Sequence, residues 1–305
     1  MRLSRWGRSP YETHEDIRLE SELLGQDVTV ISEGADAEIV VVTSQVPMGK
    51  EELSRAPSMQ LLVTTTSGWD HIDLDVFNRA GVKVCRLPEA RRDAVVEATM
   101  AMLIWGLRKM GVQSDWAVQG LWGRKELPAL SPICLKGARV GVIGLGVIGS
   151  RVAEVLAVLG VEVWGSDPKG VPPSVRHASV REMLGHCDAV TFHCDLNESS
   201  NGMVSAEMIA LSHPSLVLVN TARGGLIDVN ACIEALTRGE LGALALDVFN
   251  QEPYLEMDRS ASHPNLFFTP HSSGYHRDLC VDVREGLHRT VKAHLEGVVL
   301  PYRVT

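Results

Sequence analysis

Residues 138–167 read ARVGVIGLGVIGSRVAEVLAVLGVEVWGSD. A β-branched run ends in Gly144-Leu145-Gly146-Val147-Ile148-Gly149, a helix-compatible stretch follows, and a second β-branched run ends in Asp167. The glycines have separate physical uses: Gly144 permits a tight turn, Gly146 lets backbone N–H groups approach a pyrophosphate, and Gly149 lets a helix lie close on a sheet. Val147 and Ile148, between the second and third glycines, belong to the same candidate cofactor loop. Asp167 lies 18 residues beyond Gly149. At the end of the second strand its carboxylate can accept hydrogen bonds from an adenosine ribose diol and would repel a 2′-phosphate, which favours NAD over NADP.

Around this unit the pattern repeats. ARVGVIG, VEVWGSD, DAVTFHC, LVLVNTA, ALALDVF and LFFTP are six strand-like runs from Ala138 onward, mostly separated by helix-compatible segments. Their near-continuous Val, Leu and Ile content suits strands buried on both faces of a doubly wound parallel sheet. Upstream, VTVI (28–31), EIVVV (38–42), LLVTTT (61–66) and VKVC (82–85) form a second, smaller α/β series. The opening MRLSRWGRSPYETHED has no β-branched run, so no strand is expected there. DAVVEATMAMLIWGLRKM (93–110) predicts one long helix, capped by Asp93 and apolar nearly all round. WAVQGLWGRKELPALSP reads as an irregular connection, and residues 276–297 as a last helix that returns to the first domain.

The 305 residues correspond to about two domains at roughly 150 residues each. With 45% hydrophobic and 22% charged residues the composition is that of an ordinary globular protein. The net charge of −9 opposes nucleic acid and anionic membranes, so an anionic ligand must be captured locally. The six cysteines show neither a zinc-ligand spacing nor a disulfide framework, and no apolar run is long enough to span a bilayer. No metal is expected, and a cytoplasmic location follows as the default expectation.

Three residues with chemistry to offer stand just after strand-like runs: Arg223 in VNTARGG, Glu252 in LDVFNQEP and His271 in FFTPHSSG. Reduction of a 2-oxo acid needs a cation to hold the carboxylate and polarise the carbonyl, and an acid to protonate the nascent alkoxide. Arg and His meet those needs. A Glu beside the His would orient the ring and favour its protonated form.

VIGLGVIG, VNTARGGLIDVNACIEAL, GALALDVFNQEP and TPHSSG, with GWDHID (68–73) and VVEATMAML (95–103), resemble the D-isomer-specific 2-hydroxyacid dehydrogenases. The likeness is to their phosphoglycerate dehydrogenase and hydroxypyruvate reductase members, without the regulatory domain that some of these carry, and it runs from about Asp36 to Gly297. It implies a Rossmann-type NAD domain, residues 92–275, inserted in a flavodoxin-like substrate domain, residues 1–91 with 276–305. It implies that Arg223 binds substrate, that Glu252 tunes the His, and that His271 is the acid/base. By the same resemblance Ser67 and Gly68 hold the substrate carboxylate. Thr99, Asp167, His193, Cys194, Thr221, Ala222, Arg223, Asp247 and His271 line the cofactor with the glycine loop. Such proteins are commonly homodimers joined through the NAD domain.

The chain departs from the family pattern in places. Asp195-Leu196-Asn197 replaces a Pro-Leu-Thr, and Arg91 and Arg92 occupy what reads as a loop before the long helix. The two adjacent arginines, Arg91 and Arg92, can receive a second anionic group on the substrate, such as a phosphate or a distal carboxylate; a solvated loop or an interdomain ion pair is the plainer alternative. The expected function is that of an NAD-dependent D-2-hydroxyacid dehydrogenase, or 2-oxoacid reductase, acting on a small anionic acid. A phosphite or formate dehydrogenase and a non-catalytic NADH-sensing binding protein are the rival readings.

Overall fold

The computed structural model describes residues 1–254 and 263–305. The chain divides into two units, residues 1–92 with 275–305, and residues 93–274.

The first unit holds a five-stranded sheet of β1 (Arg2–Trp6), β2 (Thr29–Ile31), β3 (Ile39–Val42), β4 (Leu61–Thr64) and β5 (Lys83–Arg86). All pairings are parallel, in the order β2-β1-β3-β4-β5, which is the flavodoxin-like arrangement. Val40, Val42, Leu62 and Val84 face one apolar layer; Leu3, Ile39, Val41, Leu61 and Val63 face the other. The helix Leu279–Leu295 closes the second layer with Leu279, Val283, Leu287 and Val291.

β1 corrects the expectation that the N-terminus lacks a strand: it pairs with both β2 and β3. Its sequence, RLSRW, hides the strand because Arg5 is charged yet buried. The guanidinium is paired inside the protein, with Glu12 at 2.8 and 3.0 Å and Glu20 at 2.8 and 3.1 Å. A polar letter here marks an internal ion-pair cluster and not a solvent-facing position.

The second unit holds seven parallel strands, β6 (Arg139–Ile143), β7 (Glu162–Ser166), β8 (Arg176–His177), β9 (Ala189–Phe192), β10 (Val217–Asn220), β11 (Ala243–Leu246) and β12 (Leu266–Phe268). Their order is β12-β11-β10-β9-β6-β7-β8. The order reverses at β6, and the crevice at the carboxyl ends of β6 and β9 is where doubly wound sheets bind ligands. Apart from the two-residue β8, each strand coincides with one of the six expected runs.

The long helix is Glu89–Leu107, four residues earlier than expected. Pro88 directly precedes its first turn, where a missing N–H costs nothing. Asp93 therefore lies inside the helix and is not its cap, and Arg91 and Arg92 belong to its opening turn and not to a loop. Nor is the helix buried all round. Val96, Met100, Leu103 and Leu107 are buried, whereas Asp93, Glu97, Ala101, Ile104 and Arg108 form an exposed stripe at helical spacing. It stops before Lys109, whose φ of 53° lies in the left-handed region, and a second helix, Met110–Val118, occupies part of the segment expected to be irregular.

Candidate functional site

In the second unit the candidate residues stand at the carboxyl ends of six strands: the glycine loop after β6, Asp167 after β7, His193 and Cys194 after β9, Thr221 to Arg223 after β10, Asp247 after β11, and His271 after β12. A parallel sheet with right-handed crossovers delivers strand-end loops to one edge, so residues far apart in sequence become neighbours.

Gly144 has φ 86°, and a Cβ there would lie 2.5 Å from the Cys194 nitrogen. The glycine is required both by the turn and by the close approach of the His193-Cys194 backbone. A Cβ at Gly149 would lie 1.9 Å from the Gly144 carbonyl oxygen, so this third glycine lets the helix Val147–Val158 close down on its own loop. Gly146 differs, since a Cβ there would meet nothing within 4 Å. It is the N-cap of that helix and provides no side-chain cap. The first-turn amides, Val147 and Ile148 included, thus have no side-chain cap, and the space beside Gly146 is open, as an anion at a helix N-terminus requires.

Asp167 braces this loop: Oδ2 accepts the Leu145 N–H at 2.7 Å and Oδ1 accepts the Lys169 N–H at 2.8 Å. A carboxylate offers about four lone-pair sites, so acceptor capacity remains for a ribose diol. Open glycine loop, uncapped amides and this carboxylate together fit a dinucleotide.

His193 Nε2 lies 3.0 Å from Thr191 Oγ1. Burial pulls its pKa from 6.5 down to about 3, so its imidazole is neutral and unsuited to donating protons near neutrality. Between those values the unfolded chain binds a proton that the folded chain does not, so this contribution to stability is complete above 6.5 and is lost as pH falls toward 3. Replacing His193 by Gln is expected to remove that acid sensitivity, worth at most about 2 kcal/mol at about pH 5. Denaturant titrations at neutral and acidic pH check this, and an unchanged pH slope refutes it. Burial likewise raises the Cys194 thiol to about 11, with Asp195 and Asp167 adding to the effect. It is no nucleophile at neutral pH.

The turn after β10 is built by Asn220, which sequence reading passed over. The buried Asn220 side chain accepts the Ala222 N–H at 3.0 Å and donates to the Arg223 carbonyl at 2.8 Å. Asn at the end of an apolar strand, before a Gly-Gly, was its available signal. Thr221 Oγ1 and Thr99 Oγ1 are 3.1 Å apart. Gly224, directly after Arg223, packs against backbone: a Cβ would lie 2.0 Å from the Phe249 carbonyl carbon. That approach brings the Arg223 turn to the Glu252 loop.

Glu252 and His271 meet directly, with Oε2 2.7 Å from Nδ1, and Glu252 Oε1 accepts the Phe249 N–H at 3.1 Å. Burial opposes ionisation of Glu252, but His271, the Phe249 N–H and the charge of Arg223 outweigh it and hold the carboxyl below its ordinary pKa. The ionised carboxylate can only accept, so Nδ1 carries a hydrogen and Nε2 is left for chemistry. Arg223, Glu252 and His271 are thus electrostatically coupled, and the His271 side chain is half exposed.

The loop that presents His271 is held by Asp247. One carboxylate oxygen accepts the Thr269 hydroxyl at 2.6 Å and the Ser272 N–H at 2.8 Å; the other accepts the Ser273 N–H at 2.9 Å. The Asp247 carbonyl accepts the His271 N–H at 2.8 Å. These bonds hold His271 at φ 51°, a left-handed conformation that costs a β-carbon residue on the order of 1 kcal/mol.

In the first unit, Ser67 and Gly68 follow β4. Neither of their N–H groups has an acceptor among the described residues, although Gly68 is buried. Arg91 donates to the Thr65 carbonyl. No group of three or more His, Cys, Asp or Glu side chains among the described residues could hold a metal, and no described helix is long and apolar enough to cross a membrane.

Comparison with known proteins matches residues 100–273 to the model of the D-isomer specific 2-hydroxyacid dehydrogenase NAD binding domain. A D-3-phosphoglycerate dehydrogenase of Methanocaldococcus jannaschii is 31% identical over 243 residues, which cover 77% of this chain and 45% of that protein. The chain therefore spans about half the length of this relative. A glyoxylate reductase of Aeropyrum pernix is 27% identical over 277 residues, covering 88% of this chain and 82% of that one. Among solved structures, a D-lactate dehydrogenase from Aquifex aeolicus, in complex with NAD and lactic acid, superposes with TM-score 0.81 at 26% identity, covering 97% of this chain and 96% of that one.

Proposed function

From the premise that this chain belongs to the D-isomer-specific 2-hydroxyacid dehydrogenases, we propose that it interconverts a small 2-oxo acid and its D-2-hydroxy acid with NAD(H). The observation that carries this reading is the 2.7 Å contact of Glu252 with His271, on a carboxylate that also feels Arg223. A dinucleotide held by the glycine loop and Asp167 would supply the hydride for reduction at C2. The chain's own residues do the rest. Arg223 binds the substrate carboxylate and draws electron density from the carbonyl. His271 gives the C2 oxygen a proton from Nε2, while the Glu252 carboxylate stabilises the ring through Nδ1–H. In oxidation the same nitrogen takes that proton back. Ser67 and Gly68 N–H groups are assigned to the substrate carboxylate as further donors, and Val147, Ile148, Asp167, Thr221 and Ala222 to the cofactor.

The test is NADH consumption with glyoxylate, pyruvate, hydroxypyruvate, 2-oxobutyrate and oxaloacetate, and NAD reduction with formate and phosphite. Oxo-acid turnover that vanishes in Arg223→Ala supports the reading. Turnover of formate or phosphite alone, or tight NADH binding without any turnover, refutes it. Asp167→Ala is expected to remove the repulsion of a 2′-phosphate and to raise NADPH use relative to NADH by about tenfold or more. An unchanged ratio of the two kcat/KM values would separate Asp167 from the ribose.

A further inference from the structure

The turn Thr65-Thr66-Ser67-Gly68 has more donor capacity than a simple 2-oxo acid needs. Arg91, from the opening turn of the helix Glu89–Leu107, donates to the Thr65 carbonyl, and Arg86 donates to the Ser67 carbonyl at 2.9 Å. With its carbonyls held by cations, the turn keeps the Ser67 and Gly68 N–H groups for a ligand. The Ser67 hydroxyl is also buried, without a hydrogen-bond partner among the described residues. If the two amides take one carboxylate, that hydroxyl and a guanidinium remain.

Arg91 is an unusual neighbour for such a turn. Burial draws its pKa below the ordinary arginine value, while Glu12, Tyr11 and Cys280 act in the opposite sense. A desolvated guanidinium calls for an opposite charge, and a backbone carbonyl supplies only a dipole. Glu12, foremost of the groups whose charge it feels, has both carboxylate oxygens on Arg5 at 3.0 and 2.8 Å. Among the described residues, no carboxylate lies within ion-pair distance of Arg91. A guanidinium has five N–H donors, and the Thr65 carbonyl occupies one side of this one.

We propose, resting on the 2-oxo acid reading above, that Arg91 and the Ser67 hydroxyl bind a second anionic group on the substrate. The preferred substrates then carry a carboxylate or phosphate at the far end of a short side chain.

The experiment compares kcat/KM within pairs that share a carbon skeleton and differ in the distal anionic group: oxaloacetate against 2-oxobutyrate, and 3-phosphohydroxypyruvate against hydroxypyruvate. Each is measured with NADH for the wild type, Arg91→Gln and Arg91→Lys. The wild type is expected to favour the doubly charged member of at least one pair by about tenfold or more, and which pair does so tells carboxylate from phosphate. Arg91→Gln should collapse that ratio and Arg91→Lys should restore part of it. Wild-type ratios near one in both pairs overturn the proposal, whether or not the variants fold. Equal proportional losses on all four substrates in Arg91→Gln overturn it too, because Arg91 would then only hold the Thr65 carbonyl. Absence of turnover with every oxo acid overturns the oxidoreductase reading, and this inference falls with it.

Discussion

Replacement of His271 by Asn is expected to lower kcat by about 10²–10⁴-fold, the contribution of a positioned proton donor, while NADH affinity changes by only a small factor. Asn resembles the imidazole in size and can still hydrogen-bond Glu252, but it has no proton to give at the C2 oxygen. The backbone bonds that shape the loop come from Asp247 and do not involve the ring. The glycine loop and Asp167, which are assigned to the dinucleotide, lie after β6 and β7, whereas His271 follows β12. Stopped-flow reduction with a saturating oxo acid, paired with a fluorescence titration of NADH, separates the two effects. Loss of NADH binding with kcat intact would place the proton donor elsewhere. Glu252→Gln should be milder, because the Gln oxygen still accepts from Nδ1–H and only the charge is lost.

His193 is the obvious competitor, and the structure separates the two histidines by their surroundings. His193 is half-buried, bonded to a neutral Thr191 hydroxyl, and pushed down to about 3 by burial. His271 is half exposed and sits against a carboxylate. Two imidazoles in strand-end turns of one sheet are thus given opposite electrostatic surroundings, and only the second suits proton exchange with a substrate.

What the sequence made legible follows from locality. The glycine loop, the apolar strand runs and the order Arg223, Glu252, His271 are patterns within a few residues, or repeats along one sheet. Elements fixed by distant partners were hidden. β1 could not be read because Arg5 is neutralised by Glu12 and Glu20, contributed from beyond the strand. The Glu89 start was missed because Asp93 looked like a better cap than Pro88-Glu89, yet the chain was already helical there. Asp247 reads from the sequence only as a residue lining the cofactor; its oxygens are also seen on Thr269, Ser272 and Ser273, more than twenty residues away, so its support of the His271 loop is a tertiary fact.

Arg223→Lys keeps the charge and removes the fork, and is expected to lower kcat/KM for a 2-oxo acid by about 10²–10³-fold. The reason lies in the geometry of the turn. Asn220 fixes the Arg223 carbonyl, and Arg223 Nη1 donates to the Ala222 carbonyl at 2.7 Å, so the guanidinium plane is set before substrate arrives. A planar group so oriented can give two parallel N–H bonds to a carboxylate or divide them between carboxylate and carbonyl oxygen; an ammonium is a point charge on a flexible stem. Loss of Arg223 also removes a positive charge that helps keep Glu252 ionised, so the His271 pair is disturbed at one remove. Added guanidinium ion should therefore rescue Arg223→Ala in part, and rescue in kcat as well as KM would mark a role in the transition state. A lysine variant within about tenfold of wild type would mean that substrate recognition in the second unit needs only charge, and would transfer bidentate recognition away from Arg223.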